Sequence, residues 1–229
     1  MSPCATLQEL AAALDAHGLI LRSGFAFDEG VAAPPGPRGE PAHAVVLVGD
    51  AGDSSWPHFR KWAAAQGPLP DDPLDAWSRA VLDPVAEHCG ARAVFPFEKP
   101  WLPFQRWAVR AEGLRPSPLG ILMHPQFGLW HAWRGALLFD VEMALPTPDN
   151  PIHLCDTCVG KDCMNTCPVG AVGEQAFDVA GCAGFLLSGG DCGTIGCRAR
   201  AACPHGKHRY GDDKIAFHMA ARLGSLRET

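Results

Sequence analysis

Apolar residues recur at helical spacing in several segments of the chain, and this spacing predicts amphipathic helices. The predicted helices cover residues 6–17, 56–66, 74–88 and 212–226, with a shorter one at FQRWAVRAEG. Pro84 lies inside the third of them, and we expect it to bend that helix because proline has no backbone N–H to donate.

Short apolar runs predict buried strands between these helices. HAVVLVG at residues 43–49 and ARAVFPF at residues 91–97 are two such runs. Residues 119–145 are mostly apolar, and Pro125 and Gly128 divide them into two strands around a turn. The pattern predicts an α+β fold.

A proline-rich linker, PTPDNPIHL at residues 146–154, separates this part from a region rich in cysteine. We therefore predict an α/β domain over residues 1–145 and a small cysteine module over residues 146–210. A C-terminal helix over residues 211–229 is expected to pack back on the core.

Composition and charge exclude several classes of partner. The chain has 229 residues, of which 47% are hydrophobic, so it can form a globular core. Its 19 basic and 25 acidic residues give a net charge of -6. Because nucleic-acid binding depends on phosphate contacts from Lys and Arg, we expect no nucleic-acid partner. No stretch is long and apolar enough to span a membrane, so we expect no membrane partner either.

The beginning of the sequence, MSPCATLQELAAALDAHG, lacks the basic and apolar regions of a secretory signal. We therefore expect a cytoplasmic protein. Thiols stay reduced in that compartment, so ten cysteines need an explanation other than disulfides. Cys4 and Cys89 stand apart from the others and are expected to be plain thiols.

The other eight cysteines lie between Cys155 and Cys203 and form two groups of four. The upstream group lies in CDTCVGKDCMNTCP, and the downstream group has longer gaps of nine, four and five residues. In each group a proline follows the last cysteine: Pro168 follows Cys167, and Pro204 follows Cys203. Two groups of four, each ending in Cys-Pro, are typical of two 4Fe–4S clusters.

Two-cluster ferredoxins, which this pattern resembles, use the cysteine before proline to bind the other cluster. Carried over to this chain, the resemblance implies a crossed assignment. The first set is then Cys155, Cys158, Cys163 and Cys203, and the second set is Cys167, Cys182, Cys192 and Cys197. Structural zinc also takes four cysteines and remains an alternative, although only one short Cys-x-x-Cys pair is present.

One further segment is more specific than its composition. HPQFGLWHAWRGALLFD, which runs from His124 to Asp140, resembles epoxyqueuosine reductases and the corrinoid-binding core of reductive dehalogenases. Its first twelve residues are still more similar to cobalamin-processing proteins of the CblC type. The resemblance covers roughly residues 90–210.

The resemblance implies a cobalamin-binding α/β sandwich derived from the flavin nitroreductases, followed by a two-cluster ferredoxin-like module. It also implies a corrinoid lying against this segment. Gly128 would let the backbone approach a flat ligand, and the aromatic side chains would offer apolar surface. The predicted cofactor-binding residues are His124, Phe127, Gly128, Trp130, Arg134 and Gly135. The aromatic residues could equally be ordinary core residues.

In epoxyqueuosine reductases an aspartate serves as the proton donor. The nearest counterpart here is Asp72, which lacks the Tyr-His that follows it in that family. Asp72 is therefore the candidate catalytic residue, and a helix-capping role before Pro73 is its alternative.

These residues predict a cobalamin-dependent or cobalamin-processing iron–sulfur reductase. Its two 4Fe–4S clusters would receive electrons from an external donor and pass them to a bound corrinoid. The substrate would be a small organic molecule or the corrinoid's own upper ligand. A flavin could replace the corrinoid, since the parent fold binds one. The alternative is a ferredoxin-type electron-transfer protein without an organic cofactor of its own.

Overall fold

The computed structural model describes residues 6–145, 151–174 and 176–228. The chain divides into two compact units. The sheet unit comprises segments 1–113 and 132–150, and the cysteine unit comprises segments 114–131 and 151–229. Part of the linker predicted at residues 146–154 lies outside the described residues.

This division differs from the predicted domains. Residues 114–131, which were expected in the α/β domain, group with the cysteines. The C-terminal helix also belongs to the cysteine unit and does not form a separate element. The boundary therefore crosses the segment His124–Asp140, because the chain passes from the cysteine unit to the sheet unit after His131.

The first part of the chain alternates helices and strands. The elements are α1 (Leu7–Asp15), β1 (Ile20–Ala26), β2 (Ala44–Ala51), α2 (Trp56–Ala65), α3 (Pro73–His88), β3 (Arg92–Val94) and α4 (Phe104–Glu112). Three strands follow: β4 (Arg115–Pro116), β5 (Leu122–Met123) and β6 (His131–Phe139). The last part is helical: α5 (Leu154–Thr157), α6 (Asp162–Asn165), α7 (Val179–Leu187), α8 (Cys192–Ile195), α9 (Arg198–Ala202) and α10 (Asp212–Arg227).

The sheet unit is built around a four-stranded sheet with the order β1-β2-β6-β3. Strands β1 and β2 are antiparallel, as are β3 and β6. Every residue of β2 is buried, as expected for a strand covered on both faces. Trp77 of α3, Phe59 of α2 and Phe95 are among its largest fully buried side chains.

The cysteine unit has much less regular structure and a small core. Its strands β4 and β5 form a two-stranded antiparallel sheet, and α10 packs on α7 and α8. The core contains Leu119, Met123, Leu129, Val172, Ala199 and Cys203. Four further cysteines pack against this core, together with four apolar side chains: Ile121, Leu154, Cys155, Cys163, Met164, Cys167, Phe177 and Cys197.

The predicted helices are all present, and Pro84 does not interrupt α3. The predicted mixture of helices and sheet is confirmed, whereas a ferredoxin-like fold of the cysteine module stays a prediction. Strand β1 was missed, because the polar residues Arg22 and Ser23 interrupt its apolar pattern. Among the described residues, no helix combines the length and apolar character that crossing a membrane requires.

Cys89 corrects one expectation. It is disulfide-bonded and is not the free thiol that its isolated position in the sequence suggested. Cys4 lies outside the described residues. The eight cysteines from Cys155 to Cys203 are free.

Candidate metal centre

The first cysteine set lines one cavity of about 20 Å³ in the cysteine unit. Cys155 lies in α5, Cys158 follows that helix, and Cys163 lies in α6. Cys203 ends α9, and the packing of α6 on α9 brings it to the other three. The structure thus places a cysteine of the downstream group with three of the upstream group.

The second cysteine set lines another cavity, of about 270 Å³, in the same unit. Cys182 lies in α7, Cys192 begins α8, and Cys197 precedes α9. Cys167 joins them from the upstream group. Each cavity therefore takes three cysteines from one group and one from the other, which is the arrangement expected from the crossed assignment.

Burial raises the pKa of five of these thiols: Cys155, Cys163, Cys182, Cys197 and Cys203. Burial raises the pKa of Cys155 to about 11, and the neighbouring sulfur of Cys203 adds to this effect. Burial also raises the pKa of Cys182, followed by the effect of the other three cysteines of its set. Without a bound metal these thiols are protonated at neutral pH, so metal binding must release their protons.

The spacing of the cysteines bears on which metal they could hold. No three or more His, Cys, Asp or Glu side chains of residues 6–145, 151–174 and 176–228 are arranged to hold a single metal ion. Four free cysteines at each cavity match the ligand number of a 4Fe–4S cluster and also that of structural zinc.

Polar groups around the second cavity also suit an anionic cluster. The backbone N–H groups of Ala171 and Arg200 donate to Cys167 Sγ and Cys197 Sγ at 3.3 and 3.4 Å. Arg200 Nε is buried without a hydrogen-bond partner in the described structure. A cluster bound by four thiolates carries negative charge, so the donor set and this cation both fit it.

His124 is held by its own loop. Its Nδ1 accepts hydrogen bonds from the backbone N–H groups of Gln126 and Phe127, both at 3.1 Å. The ring also stacks on Phe127 with 4.2 Å between ring centroids. Because Nδ1 acts as an acceptor, the proton of the neutral ring lies on Nε2. His124 can therefore donate a hydrogen bond from Nε2, but that atom is not available as a metal ligand.

Gly128 packs against another loop of the cysteine unit. It has a φ of 60°, and a Cβ there would lie 2.4 Å from the carbonyl oxygen of His205. Gly206 faces it in turn, since its Cβ would lie 2.5 Å from the carbonyl oxygen of Phe127. The two glycines let two loops of the cysteine unit pack backbone to backbone. Protein backbone occupies the side of Gly128 where a Cβ would lie, and a role of Gly128 beside a flat ligand stays a prediction.

The remaining predicted pocket residues are divided between the units. Trp130 is buried in the cysteine unit against Tyr210, with 5.3 Å between ring centroids. Arg134 lies in the sheet unit, where its Nε is 3.6 Å from Asp50 Oδ1. Gly135 packs in the core of the sheet unit, because a Cβ there would lie 2.6 Å from Leu82 Cδ1. These residues do not line either cysteine cavity.

Asp72, the candidate catalytic residue, is exposed and precedes α3 without capping it through its side chain. Asp75, one turn later, was not singled out in the sequence. Burial raises its pKa, while the nearby Arg134 lowers it. A half-buried carboxyl group with a raised pKa is better suited to donate a proton than an exposed one. Only the structure shows this difference.

No protein-family profile matches the chain, and no curated protein sequence matches it significantly. Solved structures do match it. Epoxyqueuosine reductases are among the matching folds. One is a structure of the reductase with an epoxyqueuosine-modified tRNA stem loop, with 14% identity and a TM-score of 0.52 over 86% of this chain and 64% of that one. Another, from Bacillus subtilis, has 15% identity and a TM-score of 0.50 over the same shares, 86% and 64%.

A B12-trafficking protein CblC from C. elegans also matches, with 14% identity and a TM-score of 0.48 over 96% of this chain and 95% of that one. Epoxyqueuosine reductases, whose folds match this chain, are among the families that the sequence analysis named. The chain spans 48% to 64% of the epoxyqueuosine reductase structures. At this level of identity the likeness establishes a common fold.

Proposed function

We propose that the chain is an iron–sulfur oxidoreductase whose cysteine unit binds two 4Fe–4S clusters. One observation carries this proposal: eight free cysteines line two cavities, four to each. The first set would hold one cluster and the second set the other. Clusters of this kind supply single electrons, commonly at low potential.

The residues of the chain prepare these sites in three ways. The thiols supply the ligands, and their burial limits the access of water to the cavities. Backbone N–H groups point at Cys167 and Cys197, where they would stabilise thiolate sulfur. Cations near the sulfurs, such as Lys161 near Cys155 and Arg222 near Cys182, lower the pKa of those thiols against the effect of burial.

The proposal includes a corrinoid as the electron acceptor. The fold shared with epoxyqueuosine reductases and the sequence His124–Asp140 support this part. The packing of Gly128 and Trp130 does not, because protein atoms fill the space beside both residues. We therefore assign no residue to hold the corrinoid and derive no step through it. Titration with cobalamin, followed by its visible absorption, separates this proposal from an electron-transfer protein without an organic cofactor.

The cluster assignment is tested by exchanging one ligand from each set. Anaerobically purified protein should contain about eight irons and eight sulfides per chain. Cys203→Ser should remove iron from the site of Cys155, Cys158 and Cys163. The matched variant Cys192→Ser should remove it from the other site. Iron and sulfide analysis with EPR spectroscopy of the remaining cluster distinguishes the two losses.

Two results would contradict the assignment. If Cys203→Ser and Cys192→Ser leave the same remaining cluster, the two residues belong to one site. About two zinc ions per chain without sulfide would replace the cluster proposal by a structural zinc protein.

We propose that the partners are a small-molecule substrate and an external electron donor. We propose no binding of tRNA, because the net charge of the chain is -6. Micromolar tRNA binding with a steep salt dependence would contradict this proposal and favour a tRNA-modifying role.

A further inference from the structure

The two cavities of the cysteine unit differ in size. Under the proposed function each would hold a cluster of the same kind, with four cysteine ligands. The first cavity has a volume of about 20 Å³, and the second has a volume of about 270 Å³. The second cysteine set therefore has more open space beside it.

Some residues that line each cavity are also exposed, and these residues form its mouth. At the second cavity they are Pro168, Val169, Arg198 and Arg222. Val169 is 43% exposed, which places an apolar side chain in contact with solvent at this opening. Among the described residues that line this cavity there is no carboxylate. The mouth of the second cavity is therefore partly apolar and partly basic.

Arg222 contributes most of the positive charge at this mouth. Among the described residues no carboxylate forms a salt bridge with it. Its charge lowers the pKa of Cys182, so the guanidinium is close enough to act on the second cysteine set. Arg198 forms a salt bridge with Asp191, and the two side chains are 46% and 44% exposed, so this pair adds little net charge.

The mouth of the first cavity has a different charge. Its exposed residues are Asp162 and Pro204. Lys161 also lines the first cavity, but it is half-buried, and its Nζ donates to the carbonyl oxygen of Cys155. Arg209 is exposed and donates to backbone carbonyl oxygens near the first set, but it does not line the cavity. A negatively charged molecule thus meets a carboxylate at the first mouth and the guanidinium of Arg222 at the second.

The mouth of the second cavity also adjoins the cysteines in sequence. Pro168 directly follows Cys167, and Arg198 directly follows Cys197. A molecule that covers this mouth therefore lies one residue away from two ligands of the proposed second cluster.

We propose that the mouth of the second cavity is the docking site of the external electron donor, and that this donor is an acidic protein that carries single electrons. The inference rests on the proposed function and deepens it, because it names the class of the donor and the place where electrons enter. In this step the reduced carrier loses one electron and the cluster of the second set gains it. No covalent bond forms or breaks.

The surface suits a short-lived complex of this kind. Complexes between redox proteins have small interfaces, and complementary charge steers the two proteins together. Pro168 and Val169 would supply the apolar contact, and Arg222 would supply the charge. The whole chain has a net charge of -6, so an acidic carrier is repelled by it unless a basic patch directs the approach.

The test follows reduction of the cluster-loaded, full-length chain by a reduced plant-type ferredoxin of acidic composition in an anaerobic stopped-flow instrument. If the carrier docks at the basic mouth, the second-order rate constant should fall about tenfold between low and high salt, because salt screens the attraction. If the net charge of the chain dominates instead, salt should raise the rate constant. A rate constant that rises with salt or does not change would overturn the inference.

A charge-reversal variant locates the docking site. Arg222→Glu should lower the rate constant at low salt about tenfold, and Arg222→Lys should keep most of it. The matched control is Lys207→Glu, which changes the net charge equally at an exposed lysine that lines neither cavity. It should lower the rate constant less than about twofold. An equal effect of the two reversals would overturn the inference.

Binding of the oxidised ferredoxin gives an answer without electron transfer and without a variant. Hydrogen exchange of the parent chain should show protection at residues 167–172 and 219–225 and none at residues 158–163. Protection at residues 158–163 alone would place the donor at the first cavity. Protection of residues 167–172 that grows with protein concentration when no ferredoxin is present would assign the mouth to a second copy of the chain. Either result would overturn the inference.

Failure of this inference differs from failure of the proposed function. A parent chain that binds no iron and sulfide would overturn the proposed function itself, and chemical analysis shows this before any kinetic experiment. A cluster-loaded chain that dithionite reduces but the acidic ferredoxin does not would overturn the docking inference alone.

Discussion

The sheet unit and the cysteine unit obtain their cores in different ways. The sheet unit buries a whole strand, β2, among large side chains such as Trp77, Phe59 and Phe95. The core of the cysteine unit has few apolar residues, and one of its members is Cys203. Burial of apolar surface is the main force that stabilises a fold. The comparison indicates that the sheet unit folds by hydrophobic burial, and we expect the cysteine unit to depend on the proposed clusters for its stability.

Removal of the metal should have the largest effect and should separate the two units. A strong iron chelator under reducing conditions should cause the cysteine unit to unfold, because metal binding and folding are coupled where the core is small. The sheet unit should stay folded. Hydrogen exchange followed by mass spectrometry measures both, and we expect protection to be lost over residues 176–228 and kept in β2 and α3.

Equal protection of both units after metal removal would contradict this comparison, since the cysteine unit would then have a sufficient core of its own. The untreated protein, kept anaerobic, is the control.

A cavity made in the core of the sheet unit should have the next largest effect on stability. It should destabilise the sheet unit and leave the cysteine unit intact. Trp77→Ala removes a side chain that is only 1% exposed. It should lower the free energy of unfolding of the sheet unit by about 3–5 kcal/mol. Trp101 is 64% exposed, so Trp101→Ala should change that free energy by less than about 0.5 kcal/mol. Urea unfolding followed by circular dichroism measures the difference.

The absorption of the clusters provides the second readout for these variants. It should be the same in Trp77→Ala as in the parent protein before unfolding begins. A large loss of cluster absorption in folded Trp77→Ala would show that the two cores are not independent.

The smallest effect should come from a glycine of the cysteine unit. Gly206 and Gly189 have φ values of 90° and 85°, so alanine is strained at both, by about 1–3 kcal/mol. Only at Gly206 would the new Cβ also meet backbone, the carbonyl oxygen of Phe127 at 2.5 Å. Gly206→Ala should therefore reduce cluster retention more than Gly189→Ala, and iron content after gel filtration measures this. Equal retention would show that the contact of Gly206 with Gly128 is not needed.

The sequence predicted the parts of this structure that depend on local pattern. The helices followed from apolar spacing, and α1 even begins at the capping box that Thr6 and Glu9 form. The crossed grouping of the cysteines was implied by the resemblance to two-cluster ferredoxins, and the structure places the same four cysteines at each cavity. Strand β1 could not be recognised, because its buried Arg22 pairs with Glu112, which is distant in the sequence.

The candidate pocket residues show what local pattern cannot supply. The sequence suggested that Gly128 leaves room for a ligand. In the structure, the backbone of His205 and Gly206 lies where a side chain of residue 128 would be. Nothing in the sequence singled out Arg200. Only the structure shows that its guanidinium lies over the rings of Trp130 and Tyr210. Asp75 differs from Asp72 only in burial and in its nearness to Arg134. All three cases depend on contacts between distant parts of the chain.

The crossed cysteine sets also constrain when each site can be completed during synthesis on the ribosome. The second set is complete once Cys197 has been made, but the first set waits for Cys203. At about 5–20 residues per second, the thiols of Cys155, Cys158 and Cys163 wait for their fourth partner for roughly 2–8 s after Cys163 is added. The site that begins first along the chain is thus the one that closes last. A nascent chain must keep three thiols reduced throughout that interval.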